Sequence, residues 1–188
     1  AAAARRPGRR DESPYRPHQP IDVVVDQVRR YDSMVIHLMD LARLDAGASD
    51  LNFQYVALID LTHRVADRYG EPDVSFVAGR RTPDHVAIDK VRFERILGNL
   101  LENARNHGGG AVRIELSSAQ SYRFRLAVED GGPGVAPGER DRIFERFARG
   151  SAARHRIGTG LGLALVAEHS AAMGGTAWVQ DRVGGGAR

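Results

Sequence analysis

The stretch Asn99-Leu-Leu-Glu-Asn103-Ala-Arg-Asn-His107 decides how this chain is read. Ile96, Leu97, Leu100, Leu101 and Ala104 fall on one side of a helix, while Arg95, Asn99, Asn103 and His107 recur every four residues on the other. Side chains four apart lie one above another along a helix. Asn is a poor interior residue there, because its amide competes with the backbone for hydrogen bonds. Two of them one turn apart, aimed the same way, imply that something polar is held between them. Two glycine-rich segments follow, Asp130-Gly-Gly-Pro-Gly134 and Gly158-Thr-Gly-Leu-Gly-Leu163. Together the three describe a nucleotide site.

Working outward, Asp89 is placed to cap the asparagine helix. Before it, Phe53–Leu58, Val74–Val77 and His85–Ile88 suit strands, and a helix is expected from a cap at Asp60 to about Tyr69. After it, Ala111–Leu116 and Tyr122–Val128 alternate across a polar turn and read as a hairpin. Residues 131–160 are rich in Gly, Arg and Pro, with a short helical piece around Arg142–Phe147. Leu161–Met173 is a helix stopped by Gly174-Gly175, and Thr176–Gln180 suits a strand. Strands that return to one another, with helices between, predict a mixed sheet covered on one face by helices.

Further out, Ile21, Val24, Val28, Tyr31, Val35, Leu38 and Ala42 alternate three and four residues apart up to a stop near Gly47. That is the a/d seam of a helix in a bundle or coiled coil. A core helix can show similar spacing, but a narrow stripe over about 25 residues favours pairing with other helices. Residues 1–20 carry four prolines and no periodicity and are expected to be disordered. The division is therefore a tail (1–20), a bundle-type helix (21–48) and an α/β domain (49–188).

Composition excludes several classes of function. The chain has 188 residues and no cysteine, so disulfides, thiolate metal sites and a cysteine nucleophile are out. No apolar run approaches the roughly 20 residues of a membrane helix, and the Ala/Arg/Pro-rich start lacks the apolar core of a secretory signal. A soluble, cytoplasmic chain without a membrane span is expected. All 27 basic residues except Lys90 are arginine, a bias attributable to GC-rich coding. Scattered basic residues, few aromatics and a net charge of +3 argue against nucleic-acid binding.

Each glycine segment is ambiguous alone. A carboxylate at a strand end, such as Asp130, can accept the amine hydrogen of adenine while Gly132 and Gly134 let backbone lie close to the base. The same Asp-Gly-Gly is equally a turn. The segment around Thr159, Gly160, Leu161 and Gly162 opens a helix, where unpaired N–H groups and the helix dipole attract phosphate. It lacks the Gly-Lys-Ser/Thr end of a Walker loop and fails the dinucleotide pattern, and alone it is equally a helix start.

The order of motifs is more specific. An Asn/Asn helix, an Asp-x-Gly-x-Gly loop, Phe144-Glu-Arg-Phe147 and a Gly-x-Gly-x-Gly helix start resemble the N, G1, F and G2 boxes of bacterial sensor histidine kinases. More broadly they resemble the gyrase, Hsp90, histidine kinase and MutL ATP-binding superfamily. The resemblance covers about residues 49–185. It implies a two-layer α/β sandwich, three helices over a mixed sheet, preceded by the bundle-type helix. It implies a protein-histidine kinase that binds ATP and Mg²⁺. By resemblance, Asn103 is the Mg²⁺ ligand, Asn99 supports the phosphates or the metal's water shell, and His107 lies beside the nucleotide. Asp130 binds the adenine amine, with Gly132 and Gly134 shaping the pocket and Thr159, Gly160, Leu161 and Gly162 meeting the phosphates. Arg149 is implied to reach the γ-phosphate, Phe144 and Phe147 to anchor a lid, and residues 149–159 to form that lid.

Some positions depart from the family pattern. ATPase relatives place a water-activating Glu one turn before the metal-binding Asn. Here that position is Asn99, which favours phosphoryl transfer to a protein. Glu102 is turned about 100° away from Asn103 on an ideal helix and is left to act through water. No histidine has the expected H-box context. His37 lies on the right kind of helix but is followed by Leu38 and Met39. The 21–47 helix resembles the second helix of the dimerisation and phosphotransfer hairpin, so the chain reads as truncated or as the ATP-binding half of a split kinase. The implied partners are a histidine-bearing phosphoacceptor and, through it, a response regulator, with homodimer or hetero-oligomer pairing through helix 21–47. Asn106 stands where the family has Lys or Arg, leaving Arg105, Arg154 or Arg156 to compensate, and Arg188 falls at the start of an expected last strand. The alternatives are an ATPase or anti-sigma-like serine kinase of the same superfamily, and a non-catalytic nucleotide-binding or pairing module.

Overall fold

The computed structural model describes residues 20–45, 50–71, 73–119, 123–148 and 159–188. The expected tail, Arg149 and nearly all of the expected lid, including Arg154 and Arg156, lie outside them. Helix α1 spans Pro20–Asp45. It is followed by β1 (Phe53–Ala57), α2 (Leu58–Arg68), β2 (Ser75–Ala78), β3 (His85–Asp89) and α3 (Lys90–Gly108). The hairpin β4 (Ala111–Ser118) and β5 (Phe124–Asp130) and then helix α4 (Gly162–Ala172) complete the order.

Among the described residues the strands pair in two sheets. β1 pairs antiparallel with β3, while β2 runs parallel to β4 and β4 antiparallel to β5. The larger sheet is mixed, as expected. Its inward residues Ile114 and Leu116 meet Leu58, Leu61 and Val65 of α2 and Phe93, Leu97 and Leu101 of α3 in one core. Removing these side chains from water is the main drive for holding the helix layer on the sheets.

Helix boundaries follow local chemistry. Asp89 caps α3 as expected, its Oδ1 accepting from the Arg92 N–H at 3.1 Å, and Gly109 at φ +78° closes the other end. Asp60 does not cap α2. The helix begins at Leu58, after Ala57 with no side-chain cap, and Asp60 sits in its first turn, where a carboxylate still favours the helix dipole. Around Arg142 the helical piece is a single 3₁₀ turn, Arg142–Phe144, preceded by another at Pro137–Glu139. Thr176–Gln180 is not a ladder strand. Gln180 exchanges two backbone hydrogen bonds with Arg188, Asp181 bridges Ala187, and the Asp130 N–H reaches the Ala187 carbonyl at 3.0 Å. Trp178 stays half-exposed with the Arg125 guanidinium over its ring.

α1 lies on the domain by one edge. Leu41 is buried with Leu161 and Leu165 of the α4 start, and buried Asp40 ion-pairs with Arg95 of α3. The a/d residues point elsewhere: Val24, Val28, Tyr31, Val35 and Leu38 are exposed. No helix among the described residues is long and apolar enough to cross a membrane.

Candidate nucleotide site

α3, the loop after β5 and the start of α4 converge on a cavity of about 650 Å³. Asn99, Asn103, Asn106 and His107 enter its wall from α3. Asp130, Pro133 and Gly134 enter from the loop, and Thr159, Gly160 and Gly162 from the α4 start. Three segments far apart in sequence therefore meet as the motif order implies. Of the expected set within the described residues, Gly132 and Leu161 are not in the wall; Leu161 turns inward, fully buried against Leu41 and Leu165, so its part in the site is its backbone.

Asp130 ends β5 with its side chain nearly buried. Its Oδ1 accepts from the Gly132 N–H at 2.8 Å and the Ala187 N–H at 3.1 Å. Those two bonds fix the carboxylate, and Oδ2 has no hydrogen-bond donor among the described residues, so it is available to a ligand N–H. The glycines around it are set by contact. A Cβ on Gly132 would stand 2.8 Å from Gly108 Cα and the His107 carbonyl, and Gly134 has φ +74°. Gly108 was not singled out in the sequence, yet a Cβ there would overlap the Asp130 side chain. Its signal was the run Gly108-Gly109-Gly110, longer than one helix stop requires.

At the other end, Asn99 donates to the Arg95 carbonyl at 2.9 Å. Its Oδ1 lies where a Cβ on Gly162 would be 3.0 Å away. The asparagine helix and the first turn of α4 are thus in close approach, and only a small residue fits between them. The Leu161 N–H reaches Thr159 Oγ1 at 3.3 Å. The first turn of α4 has no side-chain cap, leaving its N–H groups for an anion.

Phe144 lines the cavity, and Phe147 is 58% exposed at φ +63°; the lid they were expected to anchor lies outside the described residues. The link at that point is backbone: the Phe147 N–H donates to the Gly160 carbonyl at 2.9 Å. Gly160 is itself at φ +71°, with a hypothetical Cβ 2.8 Å from Phe147 C. Arg105 does not compensate for Asn106. It is engaged with the Tyr69 carbonyl and with Glu71. Glu102, in contrast, lines the same cavity as Asn103, and so does His37 of α1. The His37 ring is held below its ordinary pKa by burial, against the opposing charges of Glu102 and Asp40. Among the described residues no cluster of three or more His, Asp or Glu could hold a metal alone. The donor set suits an ion that brings most of its oxygen ligands with a phosphate ligand.

Residues 88–188 match the family of histidine kinase-, DNA gyrase B- and HSP90-like ATPases. The chain is 33% identical over 168 residues to the signal transduction histidine-protein kinase AfsQ2 of Streptomyces coelicolor; the match covers 89% of this chain and 31% of that protein. Full-length ShkA, crystallised with AMPPNP, superposes with a TM-score of 0.69 at 32% identity, covering 89% of this chain and 36% of that one. The ATP-binding domain of PrrB from Mycobacterium tuberculosis superposes at 0.55 with 32% identity, over 73% of this chain and 93% of that domain. The chain spans about a third of the length of AfsQ2. This chain belongs to the histidine kinase-, DNA gyrase B- and HSP90-like ATPase family.

Proposed function

We propose that this chain is the ATP-binding catalytic part of a two-component histidine kinase. It transfers the γ-phosphoryl group of ATP to a histidine carried by a separate partner protein, which passes it to a response regulator. The convergence of Asn99, Asn103, Asp130 and the Gly160–Gly162 turn on one cavity carries this reading. Asp130 Oδ2 accepts the adenine amine hydrogen, with Gly132 and Gly134 against the base. The free N–H groups of the α4 turn, with Thr159, Gly160 and Gly162, hold the phosphates, and Asn99 and His107 line the path between. Asn103 gives one amide oxygen to Mg²⁺, whose charge screens the transferring group. Arg149, beyond the described residues, is assigned to the γ-phosphate by motif position. Residues 1–20, 21–48 and 49–188 serve as tail, pairing helix and catalytic domain, and the exposed a/d seam of α1 pairs with another helix.

Glu102 at the cavity wall supports a second reading, hydrolysis of ATP with a carboxylate activating water. Incubation with γ-labelled ATP, Mg²⁺ and a candidate histidine-bearing protein separates the two. Acid-labile label on the partner, lost with Asn103→Ala, is the expected result. Inorganic phosphate with no labelled protein establishes hydrolysis instead, and acid-stable label establishes serine transfer.

A further inference from the structure

Asp130 is seated against a tight C-terminal hairpin. The chain turns back through Gly184, Gly185 and Gly186, all at positive φ. The turn closes with the Asp181–Ala187 bridge and with the Arg182 N–H on the Gly186 carbonyl at 3.1 Å. The Asp130 N–H donates to the Ala187 carbonyl at 3.0 Å, and the Ala187 N–H returns to Asp130 Oδ1 at 3.1 Å. A Cβ on Gly186 would collide with the Asp130 carbonyl. The same hairpin meets the glycine loop: a Cβ on Gly134 would stand 3.2 Å from the Gly186 carbonyl and 3.9 Å from Asp181 Oδ1.

One side chain ties loop and hairpin together. Arg140 follows the 3₁₀ turn Pro137–Glu139. Its Nε donates to the Val135 carbonyl at 3.2 Å, and its Nη2 donates to Asp181 Oδ1 at 2.7 Å. Pro133, Gly134 and Val135 line the cavity, whereas Arg140 does not. Arg140 is partly exposed and Asp181 largely so, and an ion pair in that setting contributes little through charge alone. Its contribution is geometric, because the planar guanidinium fixes its two acceptors relative to each other. The loop needs such a tie: three of the four residues 131–134 are glycine, with no side chain to hold them and wide backbone freedom. Freedom left in a binding wall must be given up when the ligand arrives, at a cost in affinity.

We propose that Arg140 is a positioning residue for adenine recognition. By bridging Val135 and Asp181 it pre-sets the loop wall against the hairpin that fixes the Asp130 carboxylate. The inference rests on the nucleotide reading above and adds to it a residue outside the cavity. The bond from the adenine amine to Asp130 depends on angle as well as distance, and ATP makes it while GTP does not. Loosening the wall therefore falls mainly on ATP.

The test is calorimetric binding of Mg·ATP and Mg·GTP to the whole chain, with the urea midpoint of each variant measured alongside. Arg140→Met keeps an apolar stem and loses both donors. It should weaken ATP about three- to tenfold and GTP less, so that the ATP:GTP affinity ratio falls. Arg140→Lys, with a single flexible donor group, should recover part of the ratio. Asp181→Ala, at an exposed position, should lower the ratio in the wild type and add nothing in Arg140→Met, since it acts through Arg140. An unchanged ratio in Arg140→Met, whether neither affinity moves or both fall together, would overturn the inference and leave the nucleotide site standing. So would a full additional loss from Asp181→Ala in the Arg140→Met background. A wild type that binds ATP no better than GTP would overturn the adenine reading itself, and this inference with it.

Discussion

At the scale of single residues, the site is held by small residues in close approach. Gly108 shows this most sharply. It lies in the last turn of α3, where replacing Gly by Ala ordinarily stabilises by about 1 kcal/mol. Here the added Cβ overlaps the Asp130 side chain. Gly108→Ala should therefore lower stability by roughly 1–3 kcal/mol, read as a fall in the urea midpoint. A gain would mean that Asp130 is not packed against α3. Asn99, Asn103 and Asp130 were legible from sequence because their residue types are unusual for their places. Gly108 was not, since it matters through a partner 22 residues away, which no local pattern reports.

At the scale of elements, α3 and α4 are joined by a buried polar group. Arg92 Nη1 lies 3.2 Å from His169 Nδ1, and Arg92 Nε 3.5 Å from Asp89 Oδ2, all three residues being nearly buried. Burial first, and then the Arg92 charge, push the His169 pKa down to about 4. The unfolded chain binds a proton near pH 6.5 that the folded chain refuses until about pH 4. This contribution to stability is complete above pH 6.5 and is lost as pH falls toward 4, by roughly 3 kcal/mol. Urea titrations at pH 7 and pH 5 should show the loss, and His169→Asn should flatten it. Equal slopes in the two proteins would remove His169 from the account.

The same scale separates the two faces of α1. Leu41→Ala removes a side chain buried between α1 and α4 and should weaken docking by about 2–3 kcal/mol. Hydrogen exchange should then quicken in α1 while the α2–α3 core keeps its protection. Simultaneous loss in both would show that α1 is part of one cooperative core. The periodicity of α1 was plain in the sequence, but it marked the exposed side. The docked side, His37, Asp40 and Leu41, contains two polar residues and carries no hydrophobic signal. The expected strand at 176–180 has suitable residues, but among the described residues its backbone pairs only at Gln180 with Arg188, and residue type alone does not report where a partner edge lies.

At the scale of the whole molecule, two layers and one docked helix bring three distant motifs to one cavity. The layers were readable because apolar periodicity states which face each element buries. The convergence was readable only through motif order, because nothing local says that the β5 loop and the α4 start face one helix. The most direct measurement of that convergence is calorimetric binding of Mg·ATP and Mg·GTP to the wild type and to Asp130→Asn. The substitution keeps Oδ1 as the acceptor for Gly132 and Ala187 but replaces Oδ2, the adenine acceptor, with a donor. The wild type should prefer ATP by a factor on the order of ten, the worth of one well-formed buried hydrogen bond, and Asp130→Asn should abolish the preference with the fold intact. Equal binding of the two nucleotides by the wild type, or no binding of either by the folded protein, would contradict it.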